Sequence, residues 1–278
     1  MSPDRQDITI LMPCKDQKRE FLTDALRSVL GQSSPCWRLI VAIDPETPPA
    51  VQEILRKVKD DRILIKLSGA NSFGGALNTG MKSAETEYVC ILLSDDRFDL
   101  RAVEVLRRYI TRFPKIDFFH SSRRHIDAKG DLKGPVFPSR RNFHLEDFKK
   151  TGSPVKHLLC WRRDMGLAIG GMDVTFSLHS CDDYDFPWNM AEAGAKFQAI
   201  SECLYYYRVH HESPRLTTHV PITKQIEIIK IMFRKHGASE SEISRYLQRA
   251  VGNYLVKNKL LNYDTKKNYE KYFLRINF

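Results

Sequence analysis

Short apolar runs alternate with helix-period segments through the first half of this chain, and that alternation limits the fold more than any single residue does. Ile8–Met12, Arg38–Ile43, Ile63–Leu67 and Tyr88–Leu93 read as strands. Between and after them, Phe21–Leu30, Ala50–Val58, Gly74–Ala84 and Leu100–Phe113 carry apolar residues at helical spacing, as Phe21, Leu22, Ala25, Leu26, Val29 and Leu30 do in the first. Strand and helix repeating with short links predict an open, mainly parallel sheet covered on both faces. Tyr88–Leu93 is apolar throughout and is expected at the centre.

The second half is less regular. Phe118–Ile126 and Leu132–Val136 flank Ala128-Lys129-Gly130-Asp131 as a hairpin would. A Pro/Gly-punctuated stretch near Gly152-Ser153-Pro154 leads to Val155–Trp161, and Lys196–Ile200 and Leu204–Arg208 are strand-like. Asp183–Ala193 is helical, with Pro187 in its first turn or at a kink. Pro221–His236 and Ser239–Lys257 are helical, so the expected division is a main domain over 1–220 and a helical extension over 221–278.

Composition narrows the class. The 278 residues are 42% apolar, enough for a full core, and no low-complexity segment suggests disorder. The six cysteines show no C-x-x-C spacing, which argues against a zinc cluster and for a reducing compartment. Met1–Asp7 is polar and no apolar run is long enough to span a bilayer, so a cytoplasmic protein is expected. Of the net charge of +10, residues 221–278 hold +7, from 12 Lys/Arg against 5 Asp/Glu. That tail reads either as a cap packed on the main domain with a solvated basic surface, or as a face resting on anionic lipid, with Ile222, Ile226, Ile229 and Phe233 beside Lys230, Arg234 and Lys235. The second reading would make the protein peripheral at the inner face of the membrane. No nucleic-acid motif is present, and none is expected as partner.

Ligands of such sheets bind beyond the carboxyl ends of the strands. Ser94-Asp95-Asp96 follows the fourth strand directly, and two adjacent carboxylates are costly unless a cation or several donors compensate them. They read as ligands of Mg²⁺ or Mn²⁺ bound with a diphosphate, or as a helix cap, a task for which Asp99 is better placed. Asp44 ends the second strand, where a carboxylate can accept from a ribose or base, or simply turn the chain before Pro45. Asp182-Asp183-Tyr184-Asp185 opens a helix, and one of these acids can serve as a general base. His210-His211 follows the last strand, and His210 is a candidate extra metal ligand.

In their order these pieces resemble glycosyltransferase family 2. Ile8 through Asp16 looks like its opening strand and nucleotide loop, and Ala25-Leu26-Arg27-Ser28-Val29-Leu30-Gly31-Gln32-Ser33 like its first helix end. Leu39 through Asp44, Asn71 through Asn78-Thr79-Gly80, Leu92 through Asp96, Gly170-Gly171-Met172-Asp173, Asp182 through Gly194 and Tyr206-Tyr207-Arg208-Val209-His210 follow in the family's sequence. The likeness covers roughly residues 8–213 and departs at Leu93, Lys15, Leu77 and Asp182, where members often carry an acid, an aromatic, an arginine and a glutamate.

The resemblance implies the GT-A form of the α/β fold and an inverting, metal-assisted transfer from a nucleotide sugar to a glycan or lipid-linked hydroxyl, in cell-surface polysaccharide synthesis. It assigns Asp183 as base, Pro13, Lys15, Asp44, Asn78 and Asp95 to the nucleotide, and Asp95 or Asp96 with His210 to the metal. His157, Trp161, Arg162, Arg163 and Asp182 are expected on the acceptor side, with Trp161 either stacking on a sugar or packed in the core. A nucleotidyltransferase, or a basic nucleic-acid-binding module, is the rival reading. The first would normally show a Gly-rich phosphate loop where Pro13-Cys14-Lys15-Asp16 stands.

Overall fold

A computed structural model describes residues 7–151, 153–177, 182–210 and 222–257. Its first half follows the alternation in the sequence: β1 (Ile8–Cys14), α1 (Arg19–Leu30), β2 (Trp37–Ile43), α2 (Pro49–Lys57), β3 (Ile63–Leu67), α3 (Phe73–Ser83) and β4 (Tyr88–Ile91). A two-residue strand, β5 (Arg97–Phe98), then precedes α4 (Ala102–Arg112). The Ser72 hydroxyl caps α3, accepting from the Gly75 N–H at 3.1 Å, whereas α4 starts after Arg101 without a side-chain cap, and Asp99, expected as that cap, instead accepts from the Arg101 N–H at 3.0 Å in the turn before it. Asp99 thus does the turning work, and the acidic doublet is not needed for it.

The second half supplies β6 (Phe118–Ile126), β7 (Leu132–Phe137), α5 (Asp147–Thr151), β8 (Leu159–Arg162), α6 (Arg163–Ala168), α7 (Val174–Ser177), α8 (Asp182–Glu192), β9 (Phe197–Arg208), α9 (Ile222–Lys235) and α10 (Glu240–Lys257). Among the described residues nine strands form one mixed sheet in the order β3-β2-β1-β4-β8-β6-β9-β5, with β7 paired to β6 outside that path. The strands β1 to β4 are parallel, β8 is antiparallel to both β4 and β6, and β9 is parallel to β6. The carboxyl ends of β1, β2, β4, β6 and β9 therefore meet at one edge, together with the start of β8.

Alternation along β1 fixes the two layers. Ile8, Ile10 and Met12 join α1, α2 and α4 in one core, while Leu11 joins α3, α6 and α8 in the other. A third cluster wraps Trp188 of α8 between Phe148, Phe233 and His236, whose ring stacks on the indole at 4.0 Å. In α9, Ile228, Met232 and Phe233 are buried, and Lys235 Nζ and His236 Nε2 reach the buried Asp185 carboxylate at 2.9 and 3.0 Å. The apolar face of α9 is spent on α8 and α10, so this part of the tail is a cap. Ile222's side chain and the boundary expected near residue 220 lie outside the described residues.

One expectation needs correction. Lys196–Ile200 and Leu204–Arg208 are one strand, β9, because the polar Ser201-Glu202-Cys203 forms irregularities against β6 without ending the ladder.

One glycine ties the layers together. Gly171 has φ +77°, and a Cβ there would lie 2.3 Å from Asn78 Oδ1. Asn78 accepts from the Met172 N–H at 2.8 Å and donates to its carbonyl at 2.9 Å. Gly171→Ala should lower stability by roughly 2–4 kcal/mol, through left-handed strain and the loss of that paired bond. The midpoint of a urea unfolding curve checks this.

Candidate active site

The site assembles at the carboxyl edge of the sheet. Strand β4 delivers Asp95 and Asp96 there, and β9 delivers Tyr205, Arg208 and His210 opposite them. Asp96 is 1% exposed. It accepts from the Tyr205 hydroxyl and from the Arg208 backbone N–H, each at 2.7 Å. Burial, with the neighbouring Asp95 charge, holds its carboxyl well above the ordinary aspartate range, against the opposing pull of Arg208 and Tyr205. Both of its oxygens are engaged, so Asp96 is a structural anchor and does not fit a metal ligand.

Asp95 fits better. Its side chain is 24% exposed, and its Oδ2 faces His210 Nε2 at 3.2 Å. An acid oxygen and an imidazole nitrogen turned on each other, at the open end of a strand, could share one divalent cation whose other ligands come from a diphosphate. Among the described residues no group of three or more His, Cys, Asp or Glu side chains gathers as a complete protein cage. The residue after His210 in the expected pair, His211, lies outside the described residues.

Arg208 binds this edge together and carried no separate role in the sequence reading. It is 2% exposed. Its Nε donates to the Asp95 carbonyl at 2.6 Å, and its Nη1 donates to the Asp127 and Ala128 carbonyls of the β6–β7 turn at 3.1 and 3.2 Å. Nη2 pairs with Asp24 of α1. One turn earlier, Phe21 packs beneath both the guanidinium, at 4.8 Å, and the His210 ring, at 4.7 Å. Helical periodicity marks Phe21 only as a core residue, and nothing in the sequence marks Asp24.

On the nucleotide side, Pro13 is buried inside β1 and offers no contact surface. Lys15 is committed to its own chain: Nζ donates to Glu46 Oε2 at 2.9 Å and to Asn71 Oδ1 at 2.5 Å, and lies 3.9 Å from Asp44 Oδ2. It bridges the loops after β1, β2 and β3. Asp44 is buried, and its Oδ1 accepts from the Glu46 N–H at 2.9 Å. Asn78 is bonded twice to the Met172 backbone, so its amide is held in place by that turn, with one N–H and one lone pair beyond those two bonds.

On the acceptor side three expectations fail for one reason. Strand β8 runs antiparallel to β4, so only its beginning lies at the ligand edge. Arg162 and Arg163 sit at the opposite end, bonded to Asp117 and to the Met81 carbonyl. Trp161 is fully buried against Phe118 and Phe186 and is no sugar platform. His157 does lie at the edge, 5.3 Å from the Tyr205 ring and 6.2 Å from that of Tyr207. Burial, helped by the positive field of Arg123 and Lys156, pushes it down to about 3, so it is a neutral spacer.

Asp183 stands in the first turn of α8. Pro187 has no N–H to return to the Asp183 carbonyl, which instead receives the Ser153 hydroxyl at 3.5 Å. The residue is exposed to solvent, although protein atoms crowd its carboxyl. That desolvation raises its carboxyl above the usual range, while Arg123 and Lys156 pull the other way. Asp182 begins the same helix, and its side chain lies outside the described residues.

Comparison with known proteins gives a consistent picture. Residues 9–164 match the model of Glycosyl transferase family 2. The O-antigen biosynthesis protein RfbC of Myxococcus xanthus is 24% identical over 72% of this chain, which spans only 16% of that relative. The UDP-Glc:alpha-D-GlcNAc-diphosphoundecaprenol beta-1,3-glucosyltransferase WfaP of Escherichia coli is 24% identical over 78% of this chain and 82% of its own length. Among solved structures, S. aureus TarS 1-349 in complex with UDP-GlcNAc superposes with a TM-score of 0.67 at 17% identity, covering 90% of this chain and 72% of that one. That likeness is one of fold.

Proposed function

The chain belongs to glycosyltransferase family 2, and on that premise we propose that it transfers a sugar, with inversion, from a nucleoside diphosphate sugar to a hydroxyl of a glycan or lipid-linked acceptor in cell-surface polysaccharide synthesis. The observation that carries this is the facing pair Asp95 and His210, 3.2 Å apart at the carboxyl edge of the sheet. Relatives named for O-antigen synthesis and for a UDP-glucose donor support the substrate class.

In this reading Asp44 accepts from the nucleoside, and the Lys15–Glu46–Asn71 bridge fixes the loops around it. Asp95 and His210 would hold Mg²⁺ or Mn²⁺, whose charge would balance that of the departing diphosphate. Arg208 keeps the Asp95 backbone in place. Asp183, its carboxyl raised above the usual range, takes the proton from the acceptor hydroxyl as its oxygen bonds to the anomeric carbon. The bond from that carbon to the diphosphate breaks, and the nucleoside diphosphate leaves with the electron pair.

A thermal-shift series with UDP, GDP, ADP and their sugars, with and without Mg²⁺ or Mn²⁺, tests the donor. A true donor nucleotide at a hundred times its Kd adds about 2.7 kcal/mol, which raises Tm by roughly 5–10 °C. Chelation with EDTA should shrink that gain. If no nucleoside diphosphate moves Tm under any metal condition, the proposal fails.

A further inference from the structure

Two cations, Arg123 and Lys156, act on the Asp183 carboxylate, and the donor chemistry does not require either of them. Arg123 lies near the carboxyl end of β6, where the pairing with β9 shifts register on both sides of Ser122 and that with β7 shifts beyond Arg123. Such bulges re-aim side chains and concentrate beside active sites. The Arg123 guanidinium lies 5.1 Å over the Tyr207 ring, and its Nε is buried without a hydrogen-bond partner among the described residues. Lys156 is half-buried in the segment leading into β8, next to His157, which packs on the same tyrosine. Among the described residues neither cation forms an ion pair with a carboxylate.

Among the described residues the charge balance around Asp183 is positive. Burial, with the Lys156 charge, pushes His120 down to about 4, and His157 is also neutral. Among the described residues Arg123 and Lys156 act on one carboxylate, that of Asp183, which leaves one positive charge over. Holding Asp183 would not require both cations, and neither is close enough to pair with it. A buried guanidinium N–H without an acceptor is costly, so the arrangement is complete only with a ligand that brings anionic oxygens. A sugar hydroxyl would leave most of that charge unmet. A phosphate offers several oxygens to a planar fork and a point charge together.

Resting on the reading of Asp183 as the base, we propose that Arg123 and Lys156 form an anion subsite that grips a phosphate ester of the acceptor beside the hydroxyl to be glycosylated. The acceptor class is therefore phosphorylated: a sugar on a polyprenyl diphosphate, or a polyol phosphate. The subsite orients the acceptor, and its energy appears in acceptor binding more than in donor binding.

The test is direct binding, with the donor site filled by excess UDP and Mg²⁺. Farnesyl diphosphate, glycerol 3-phosphate and methyl β-glucoside are titrated by calorimetry. Saturable binding of farnesyl diphosphate alone identifies a lipid diphosphate, and of glycerol 3-phosphate alone a polyol phosphate. Arg123→Gln and Lys156→Gln should each weaken that binding roughly 10–100-fold, leave UDP affinity unchanged, and not alter the response to methyl β-glucoside. Arg123→Lys should recover part of the loss, which a folding defect would not do. Asp183→Asn should preserve or tighten phosphate binding, so this readout stands apart from the question of the base. If neither phosphate compound binds the wild-type protein, or if both glutamine variants bind as the wild type does, the subsite does not exist.

Discussion

Replacing Asp183 with asparagine should lower kcat by roughly 10²–10⁴-fold, the range that a positioned general base supplies, with UDP affinity unchanged. Asparagine matches the aspartate in size and keeps an acceptor oxygen at the start of α8, so the helix survives and only basicity is lost. The acid limb of the pH profile carries the same information. Burial raises the Asp183 carboxyl above the ordinary value of about 3.9. The base must be ionised to accept a proton, so kcat/KM should fall as pH drops through that raised value. Arg123 and Lys156 both stabilise the carboxylate, and Arg123→Gln should therefore shift the limb to higher pH. Full turnover by Asp183→Asn would remove this residue from the base role. A limb that ignores the loss of Arg123 would separate the two side chains.

The parts of the fold legible in the sequence are those with period and direct chain order. Strands β1 to β3 lie within about a residue or two of their expected limits, because each is an apolar run closed by a polar turn. The doublet and Asp44 fall at strand ends for the same reason. What the sequence does not carry is direction. Nothing in Leu158-Leu159-Cys160-Trp161 says that β8 enters the sheet antiparallel, and that one fact sends Trp161, Arg162 and Arg163 away from the ligand edge. Nor does the sequence distinguish Asp95 from Asp96. Only the partners do so: Tyr205 and Arg208 consume Asp96, while Asp95 turns to His210. Lys15 could be read as a free charge until Glu46 and Asn71 are seen to hold it. Arg208 and Asp24 are 184 residues apart, and no local pattern joins them.

Arg208→Ala should be the most damaging single change to stability, at about 3–5 kcal/mol. The guanidinium is fully enclosed and satisfies three carbonyls and one carboxylate, and its charge offsets part of the burial of Asp96. Its removal leaves the Asp96 and Asp24 charges less compensated and frees the β6–β7 turn, where Gly130 comes within 3.7 Å of Arg208 Nη1 when a Cβ is placed on it. Donor binding should weaken too, because the Asp95 backbone loses its anchor. Arg208→Met, which restores bulk, should recover little, since what is missing is charge and donors. The loss should also depend on pH. Arg208 lowers the Asp96 value, so without it Asp96 is protonated more readily and the buried charge is relieved in acid. Urea unfolding at pH 5 and at pH 8 should therefore show a smaller penalty at the lower pH, and Asp24→Asn should reduce the cost of Arg208→Ala in a double-mutant cycle. An equal penalty at both pH values, with no coupling to Asp24, would mean that Arg208 acts by packing alone.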